Sequence, residues 1–405
     1  MRRVTFFAII LICLAILLVD IFAFYWLQSI TKLIASSLVR NAINIAFWVF
    51  SIGLITAILV LKVRMDRISY QLKYLLVSSL YGLTISSFIP KLIFVVAISI
   101  LYFTNYVFGD KESLVLVPLL GLFSGFFPFF VIMYAIFRSL YRFKVRHVKI
   151  KHEELPESFN KLRIVHISDT HLGSFNSRYH IFDRAVNLIN NLEPDLILFT
   201  GDLVNNFAYE LDGWKSTFKK LNAIKGKYSV LGNHDYGDYH QWESQDEKKM
   251  NFEAIKNFHK EIGFKLLLND SELIKIKNET IAMVGVENWG SPPFIQYGNL
   301  SKAIAPVRNI PFKILLSHDP THWQQEILND TDIALTLSGH THGMQAGINF
   351  MYRKWSPIKY KYKHWAGLYN EAGQYLYVNR GLGWLGFPGR LGMRPEITLI
   401  ELSKK

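Results

Sequence analysis

Four apolar stretches constrain this chain more than anything else in it. Residues 4–27, 42–61, a long run within 74–108 and 114–137 are each long enough to cross a bilayer, which takes about 20 helical residues. The first is too long for a cleaved signal peptide, lacks a small-residue cleavage site and is followed by more spans. The third contains Pro90 and Lys91 and reads either as one tilted helix or as two short segments. Two full crossings there set the basic flanks against the positive-inside bias, so four spans are expected. Charge is partitioned to match. Of residues 1–143, 16 are Asp, Glu, Lys or Arg, against 61 of the 262 that follow. A wholly soluble protein and a disordered one are both excluded. The formal net charge of +13 splits into +8 and +5 across the same boundary, which weakens any nucleic-acid argument built on the whole chain. The single cysteine, Cys13, lies in the first apolar run, so neither an intramolecular disulfide nor a thiolate metal cluster is available.

Orientation follows from Lys/Arg asymmetry in the short flanks. Arg2, Arg3, Lys62, Arg64, Arg67, Lys73, Arg138, Arg142, Lys144, Arg146, Lys149 and Lys151 fall on one side, and Lys32, Arg40 and Lys111 on the other. Twelve against three puts both termini and the whole C-terminal half in the cytoplasm of a multi-pass cell-membrane protein. Asp20 and Lys91 are the only ionisable side chains well inside the apolar stretches. At about 1.5 Å per helical residue both reach a depth of roughly 25 Å. Either they pair within the membrane or each snorkels to the outer interface. The default role of the spans is anchoring.

The expected organisation is a transmembrane domain of four helices over 1–140, a basic juxtamembrane connector over 141–160 with a lead-in strand, and a catalytic domain over 161–405. In the last, short β-branched runs at 162–168, 196–200, 228–231, 280–285, 312–317 and 333–338 alternate with helical patterns around 178–192, 214–221 and 252–262. Strands interleaved with helices imply a layered α/β domain. The stretch 367–402 reads as further strands.

Five of these strands run into short polar motifs. They are Ser168-Asp169-Thr170-His171, Gly201-Asp202, Gly232-Asn233-His234-Asp235, Ser317-His318-Asp319 and Gly339-His340-Thr341-His342. The carboxyl ends of strands form the ligand-binding edge of α/β sheets, so all five sets can converge on one crevice. Imidazole and carboxylate donors without thiolate suit Mn, Fe or Zn. The glycines opening three of the later motifs, Gly201, Gly232 and Gly339, let the backbone turn tightly and approach the site.

The order Asp-x-His, Gly-Asp, Gly-Asn-His-Asp, His, Gly-His-x-His resembles the signature of calcineurin-like metallophosphoesterases, from residue 162 to the C-terminus. The Gly-His-Thr-His-Gly-x-Gln and Val-Asn-Arg-Gly-Leu-Gly stretches look like the bacterial subgroup that carries N-terminal membrane helices. The resemblance implies a layered β-sandwich flanked by helices and two divalent metal ions. Asp169, His171 and His342 would bind the first ion, Asn233, His318 and His340 the second, and Asp202 would bridge them. His234 would be the general acid, oriented by Asp235. Many relatives have a further Asp or Asn three residues after the bridging Asp, and here that place is Asn205. Two ions about 3.5–4 Å apart acidify a bridging water and clamp the attacking and leaving oxygens of an in-line displacement at phosphorus. A histidine can then protonate the leaving oxygen.

Other features carry blander readings. His166 sits inside the first strand of the domain and reads as a core histidine. Asp319 reads as a cap on the helix starting near Thr321. Gly381-Leu382-Gly383-Trp384-Leu385-Gly386 matches a dinucleotide fingerprint literally, but Pro388 and Gly389 stand where its helix must begin. It is expected to line the catalytic crevice, where Arg380 or Arg390 could contact phosphate. Residues 352–365 hold five Lys/Arg, five aromatics (Tyr352, Trp355, Tyr360, Tyr362, Trp365) and no acid. That mixture suits an anionic membrane surface or an amphiphilic substrate, or a solvated basic loop.

The function expected is a membrane-anchored binuclear phosphohydrolase, a phosphodiesterase or pyrophosphatase. Its partners are membrane lipids and a phosphate-ester substrate, with a lipid-linked or nucleotide-lipid ester as the motivated class. A nuclease ranks lower, because no added DNA-binding module is present and no nucleic-acid partner is expected. Steep salt dependence would mark one. A decayed sensor or scaffold is the third reading, set against by the complete ligand set.

Overall fold

The computed structural model describes residues 5–108, 113–292, 294–350 and 353–405. Val4, Arg2, Arg3 and Lys111 of the span and charge arguments, and Tyr352 of the basic aromatic run, lie outside the described residues. The chain forms two compact units, one made of the apolar helices and the other of Ser139–Leu385 with Arg390–Lys405.

The helical unit contains α1 (Phe6–Thr31), α2 (Ser37–Arg64), α3 (Tyr70–Phe108) and α4 (Ser113–Phe137), all four long and apolar enough to span a membrane. Thr5 Oγ1 accepts the Ala8 N–H at 3.2 Å to cap α1. The third stretch is one helix. Pro90 removes one backbone donor from α3 without dividing it. α4 approaches α3 closely because its facing residues are small. A Cβ at Gly121 would stand 2.9 Å from Ile98 Cδ1, and small residues are what let membrane helices pack at short range. Large apolar side chains such as Phe7, Leu11, Leu14 and Leu18 point outward, as lipid-facing residues must. Asp20 and Lys91 pair, with Lys91 Nζ 2.6 Å from Asp20 Oδ1 and 3.1 Å from Ser51 Oγ. That ties α1, α2 and α3 together, and snorkelling gives way to the pair because Asp20 is buried between helices.

The second unit is two six-stranded sheets. The first has strand order β1 (Lys144–His152), β14 (Glu396–Lys404), β2 (Arg163–Ile167), β3 (Leu196–Thr200), β4 (Gly226–Val230), β5 (Lys265–Leu266). The second runs β12 (Gly367–Glu371), β13 (Gln374–Val378), β9 (Leu335–Ser338), β8 (Lys313–Leu316), β7 (Glu279–Gly285), β6 (Asp270–Ile276). A two-stranded ribbon, β10 (Ile348–Phe350) with β11 (Arg353–Trp355), stands apart from both.

The central strands are apolar on both faces, so both faces must be covered. On β3, Leu196 and Leu198 join Ile164, Met283, Ile314, Leu335 and Leu337 in the core between the sheets. Ile197 and Phe199 point the other way, onto α5 (Ile181–Asn190) and α7 (Gln245–Glu261) through Phe182, Val186 and Phe258. Trp323 and Ala303 cover the outer face of the second sheet against Val284, Leu315 and Leu376. The result is the layered α/β unit that the strand and helix patterns imply, in the form of the sandwich flanked by helices that the family resemblance implies. Residues 141–160 hold β1, which pairs in parallel with β14 along nine residues and so is an edge strand of the first sheet.

Candidate metal centre

Five strand ends deliver the polar motifs to one crevice. β2, β3 and β4 of the first sheet lead into Asp169/His171, Asp202 and Asn233/His234, and β8 and β9 of the second lead into His318 and His340/His342. Five of the seven candidate ligands, Asp169, His171, Asp202, His340 and His342, hold positive φ. Non-glycine residues in that region are strained by about 1–3 kcal/mol each and persist only where their surroundings over-determine them. Here the backbone does so. Asp169 N–H donates to Gly201 O at 2.9 Å, His171 N–H to Asp202 O at 3.2 Å, and Gly383 N–H to Asp169 O at 2.7 Å. Gly201 has φ +89°, and a Cβ there would run into the Gly232 backbone. A Cβ on Gly339 would strike Ser168 and the Asp169 carboxylate.

Two donor sets result, one of Asp169, His171 and His342 and one of Asp202, His318 and His340. In the first, His171 Nε2 and His342 Nε2 are 3.0 Å apart and His342 Nε2 is 3.3 Å from Asp169 Oδ1. In the second, His340 Nδ1 is 2.8 Å from Asn233 Oδ1 and 3.3 Å from His318 Nε2. Asp202 Oδ2 stands between them, 3.5 Å from His171 Nε2 and 3.2 Å from His318 Nε2. Donors at roughly 2.0–2.2 Å from a common ion lie about 3.0–3.4 Å from one another, so both sets have cation-sized spacing. All seven expected ligands are brought together.

The outer nitrogens fix the rings. His318 Nδ1 donates to Thr200 O at 2.6 Å, which leaves its Nε2 free to face Asp202. His171 Nδ1 is 3.1 Å from Asn205 Oδ1, and His340 Nε2 is 2.8 Å from the Tyr362 hydroxyl. Electrostatically the site needs cations. Burial, then the Asp202 charge, raise the Asp169 carboxyl to about 7. Burial works against a charged His318, but Asp202 outweighs it and pushes His318 up to about 10. Burial also opposes an ionised Asp202, and His318 with His234 overrules it and holds that carboxyl well below the usual range. Without a metal the shared carboxylate thus draws its counter-charge from a protonated histidine. A divalent cation replaces that proton, so the residues present fit one.

Three sequence expectations are corrected. Asp235 does not orient His234. Its Oδ1 accepts Leu203 N–H at 2.8 Å and Val204 N–H at 3.2 Å, and its Oδ2 accepts Asp202 N–H and Gly232 N–H at 2.9 Å each. It holds the loop that carries the shared ligand. His234 is instead fixed by the Asn205 carbonyl, which accepts from Nδ1 at 2.7 Å, and by its own N–H on Asp202 Oδ1 at 2.9 Å. Arg380 is no phosphate contact, because it is buried in an ion pair with Glu396 at 2.5 Å. Arg390 is fully buried as well, with Nη2 3.1 Å from His342 Nδ1 and Nη1 donating to Arg380 O at 2.7 Å. Two long cations with that many inward partners have no reach into the crevice.

Other expectations hold. The Gly381–Gly383 loop lies against the first motif, with Leu382 N–H on Ser168 O at 2.9 Å. His166 is a buried core residue, 2.9 Å from Thr200 Oγ1. Asp319 Oδ1 accepts the Thr321 N–H at 2.8 Å. Two residues named in the sequence hold roles it did not assign them. Asn205 serves both His171 and His234, and its offset from Asp202 was the available signal. Tyr362, marked only as a member of the basic aromatic run, sits behind His340.

Residues 162–344 match the calcineurin-like phosphoesterase family, and residues 2–140 match a transmembrane domain described as that of a probable calcineurin-like phosphoesterase. Danio rerio has a transmembrane protein with metallophosphoesterase domain that is 31% identical over 268 residues, 64% of this chain and 57% of that one. The metallophosphoesterase YkuE of Bacillus subtilis is 31% identical over 264 residues, covering 63% of this chain and 83% of that one. The phosphodiesterase YaeI of Escherichia coli is 27% identical over 242 residues, covering 59% and 82%. The chain thus spans a little over half the length of the fish relative.

Proposed function

The chain belongs to the calcineurin-like phosphoesterase family, and from that premise we propose that it is a membrane-anchored binuclear hydrolase of phosphodiesters or pyrophosphates. The observation that carries the reading is the shared oxygen. Asp202 Oδ2 lies within 3.5 Å of a histidine nitrogen from each donor set, so one carboxylate can serve two ions. Asp169, His171 and His342 hold one ion, Asn233, His318 and His340 the other, with Mn, Fe or Zn as the metals this donor chemistry suits. Bound divalent ions supply a nucleophile at neutral pH and neutralise charge developing at phosphorus.

The chain's own residues do the rest. His234 keeps its Nδ1–H on the Asn205 carbonyl, which leaves Nε2 without a protein partner among the described residues. Protonated there, it delivers a proton to the leaving oxygen. The Asp202 Oδ1 contact to the His234 backbone ties the acid to the shared ligand, so acid and metals keep a fixed separation. The four apolar helices make this a multi-pass membrane protein. The twelve-to-three Lys/Arg bias supports a cytoplasmic side for both termini and the catalytic unit. Anchoring a hydrolase at a bilayer favours a lipid-linked phosphate ester as its substrate.

The test is hydrolysis of a generic phosphodiester by purified full-length protein with added Mn²⁺, alongside metal analysis. Two ions per chain and a His234→Ala variant that keeps both metals but loses turnover are expected. One ion per chain in active protein, or unchanged turnover in His234→Ala, overturns the reading.

A further inference from the structure

The segment between the last ligand motif and β12 does something the proposed chemistry does not use. Its β10–β11 ribbon belongs to neither six-stranded sheet. Ile348 and Trp355 are cross-strand partners, so their side chains leave the ribbon on the same face. They are 61% and 41% exposed. Tyr360, closing the turn Pro357–Tyr360, is 78% exposed.

Along the segment itself the charge is of one sign. Residues 354–363 contain Lys354, Lys359, Lys361 and Lys363 and no acid. Lys354 is turned inward, donating to Ala366 O at 2.6 Å. Lys359, Lys361 and Lys363 are exposed, and Lys363 faces the Glu371 carboxylate at 3.7 Å. Lys359 lies over the Tyr360 ring at 5.0 Å, and Lys361 lies 5.2 Å from the Tyr362 ring and 5.5 Å from that of Phe294.

A two-stranded ribbon has little stability of its own, and exposing a paired isoleucine and tryptophan on it works against it in water. Trp, Tyr and Lys together are the residues that favour a membrane–water interface, the aromatics at headgroup level and the lysines against anionic lipid. The bilayer is always at hand, because the chain carries its own membrane helices and a tethered surface acts at high effective concentration.

We infer that the β10–β11 ribbon and the turn after it are a docking face for an anionic lipid surface. Ile348, Trp355 and Tyr360 enter the headgroup layer, and Lys359 and Lys361 meet lipid phosphates. The face leads into the metal centre, since Tyr362 follows directly and its hydroxyl is 2.8 Å from His340 Nε2. A phosphate ester borne on a lipid headgroup therefore enters from the His340 side. That last step rests on the hydrolase reading, and the docking does not.

The experiment uses the full chain in nanodiscs, with a bimane fluorophore on Ile348→Cys in a Cys13→Ser background. A second protein carries the label on Tyr179→Cys, also exposed on the catalytic unit. Quenching by brominated lipid is compared in phosphatidylcholine discs with and without phosphatidylglycerol. Several-fold stronger quenching at 348 than at 179 is expected when phosphatidylglycerol is present. Lys359→Glu with Lys361→Glu is expected to abolish the difference. Equal quenching at the two positions overturns the docking face. Quenching at 348 that ignores both phosphatidylglycerol and the charge reversals overturns the choice of an anionic surface. Hydrolysis is measured separately, so loss of docking and loss of catalysis are distinguishable.

Discussion

Replacing Asp235 with asparagine separates two roles that one carboxylate could have had. Its oxygens each accept two backbone N–H groups, from Leu203 and Val204 on one side and Asp202 and Gly232 on the other, at 2.8–3.2 Å. The side chain is fully buried. Asparagine keeps one accepting oxygen and turns an amide nitrogen toward two donors, which leaves two buried N–H groups stranded. Each stranded donor costs about 1–3 kcal/mol, so about 2–6 kcal/mol is lost in total. In a unit of this size that lowers the unfolding temperature by about 5–20 °C. In either orientation of the amide at least one stranded donor belongs to the Asp202–Val204 loop, so metal occupancy falls along with turnover. The assay is thermal unfolding of metal-loaded protein at pH 8, with metal per chain and phosphodiester hydrolysis read on the same sample. Burial, then the Asp202 charge, raise the Asp235 carboxyl to about 7, and pH 8 keeps it ionised. If Asp235 merely oriented His234, Asp235→Asn would keep its metals and its unfolding temperature and lose only turnover, to the level of His234→Ala. Combining the two substitutions would then add nothing further. That pattern refutes the backbone-holding role.

Four further outcomes are expected. Metal uptake by stripped protein releases protons, because a cation must displace the proton that Asp202 holds on His318 up to about pH 10; calorimetry in buffers of different ionisation enthalpy should count about one proton at pH 8. The same raised value gives the metal-free unit stability that is complete below the unfolded histidine value and lost as pH rises through about 10, visible as a falling unfolding temperature at alkaline pH. Asn205→Ala removes the oxygen 3.1 Å from His171 Nδ1 and should weaken metal binding about 10–100-fold in a competition titration. In the helical unit, Lys91→Met strands the buried Asp20 carboxylate and should cost about 3–5 kcal/mol in detergent unfolding, whereas Asp20→Leu with Lys91→Met together should recover most of it.

Much of the catalytic unit was legible because strands and ligands obey local rules. The β-branched runs at 196–200 and 333–338 became β3 and β9, and each ligand motif stood directly after its strand. β6 and the β10–β11 ribbon were not foreseen, since short strands in polar sequence have no period that separates them from loops. The roles assigned to side chains at a distance fared worse. Asp235 stands beside His234 in sequence, yet its carboxylate turns to the Asp202 loop, 33 residues back. Arg380 and Arg390 fall in a glycine-rich loop at the crevice, yet Glu396 and the carbonyls of Arg380 and Gly383 draw both inward.

The sequence by itself determined that the chain spans a membrane, that an α/β unit follows, and where along the chain the candidate metal-ligand motifs stand. Hydrophobic length, strand period and motif order are properties of neighbours along the chain, and neighbours can be read directly. Only the tertiary structure decided that Asp20 and Lys91 pair, that Asp202 Oδ2 is common to both donor sets, and that Asn205 rather than Asp235 fixes the acid. Each of these depends on a few ångströms between atoms tens of residues apart. Such distances are set by how two sheets and three helices pack, which no local pattern encodes.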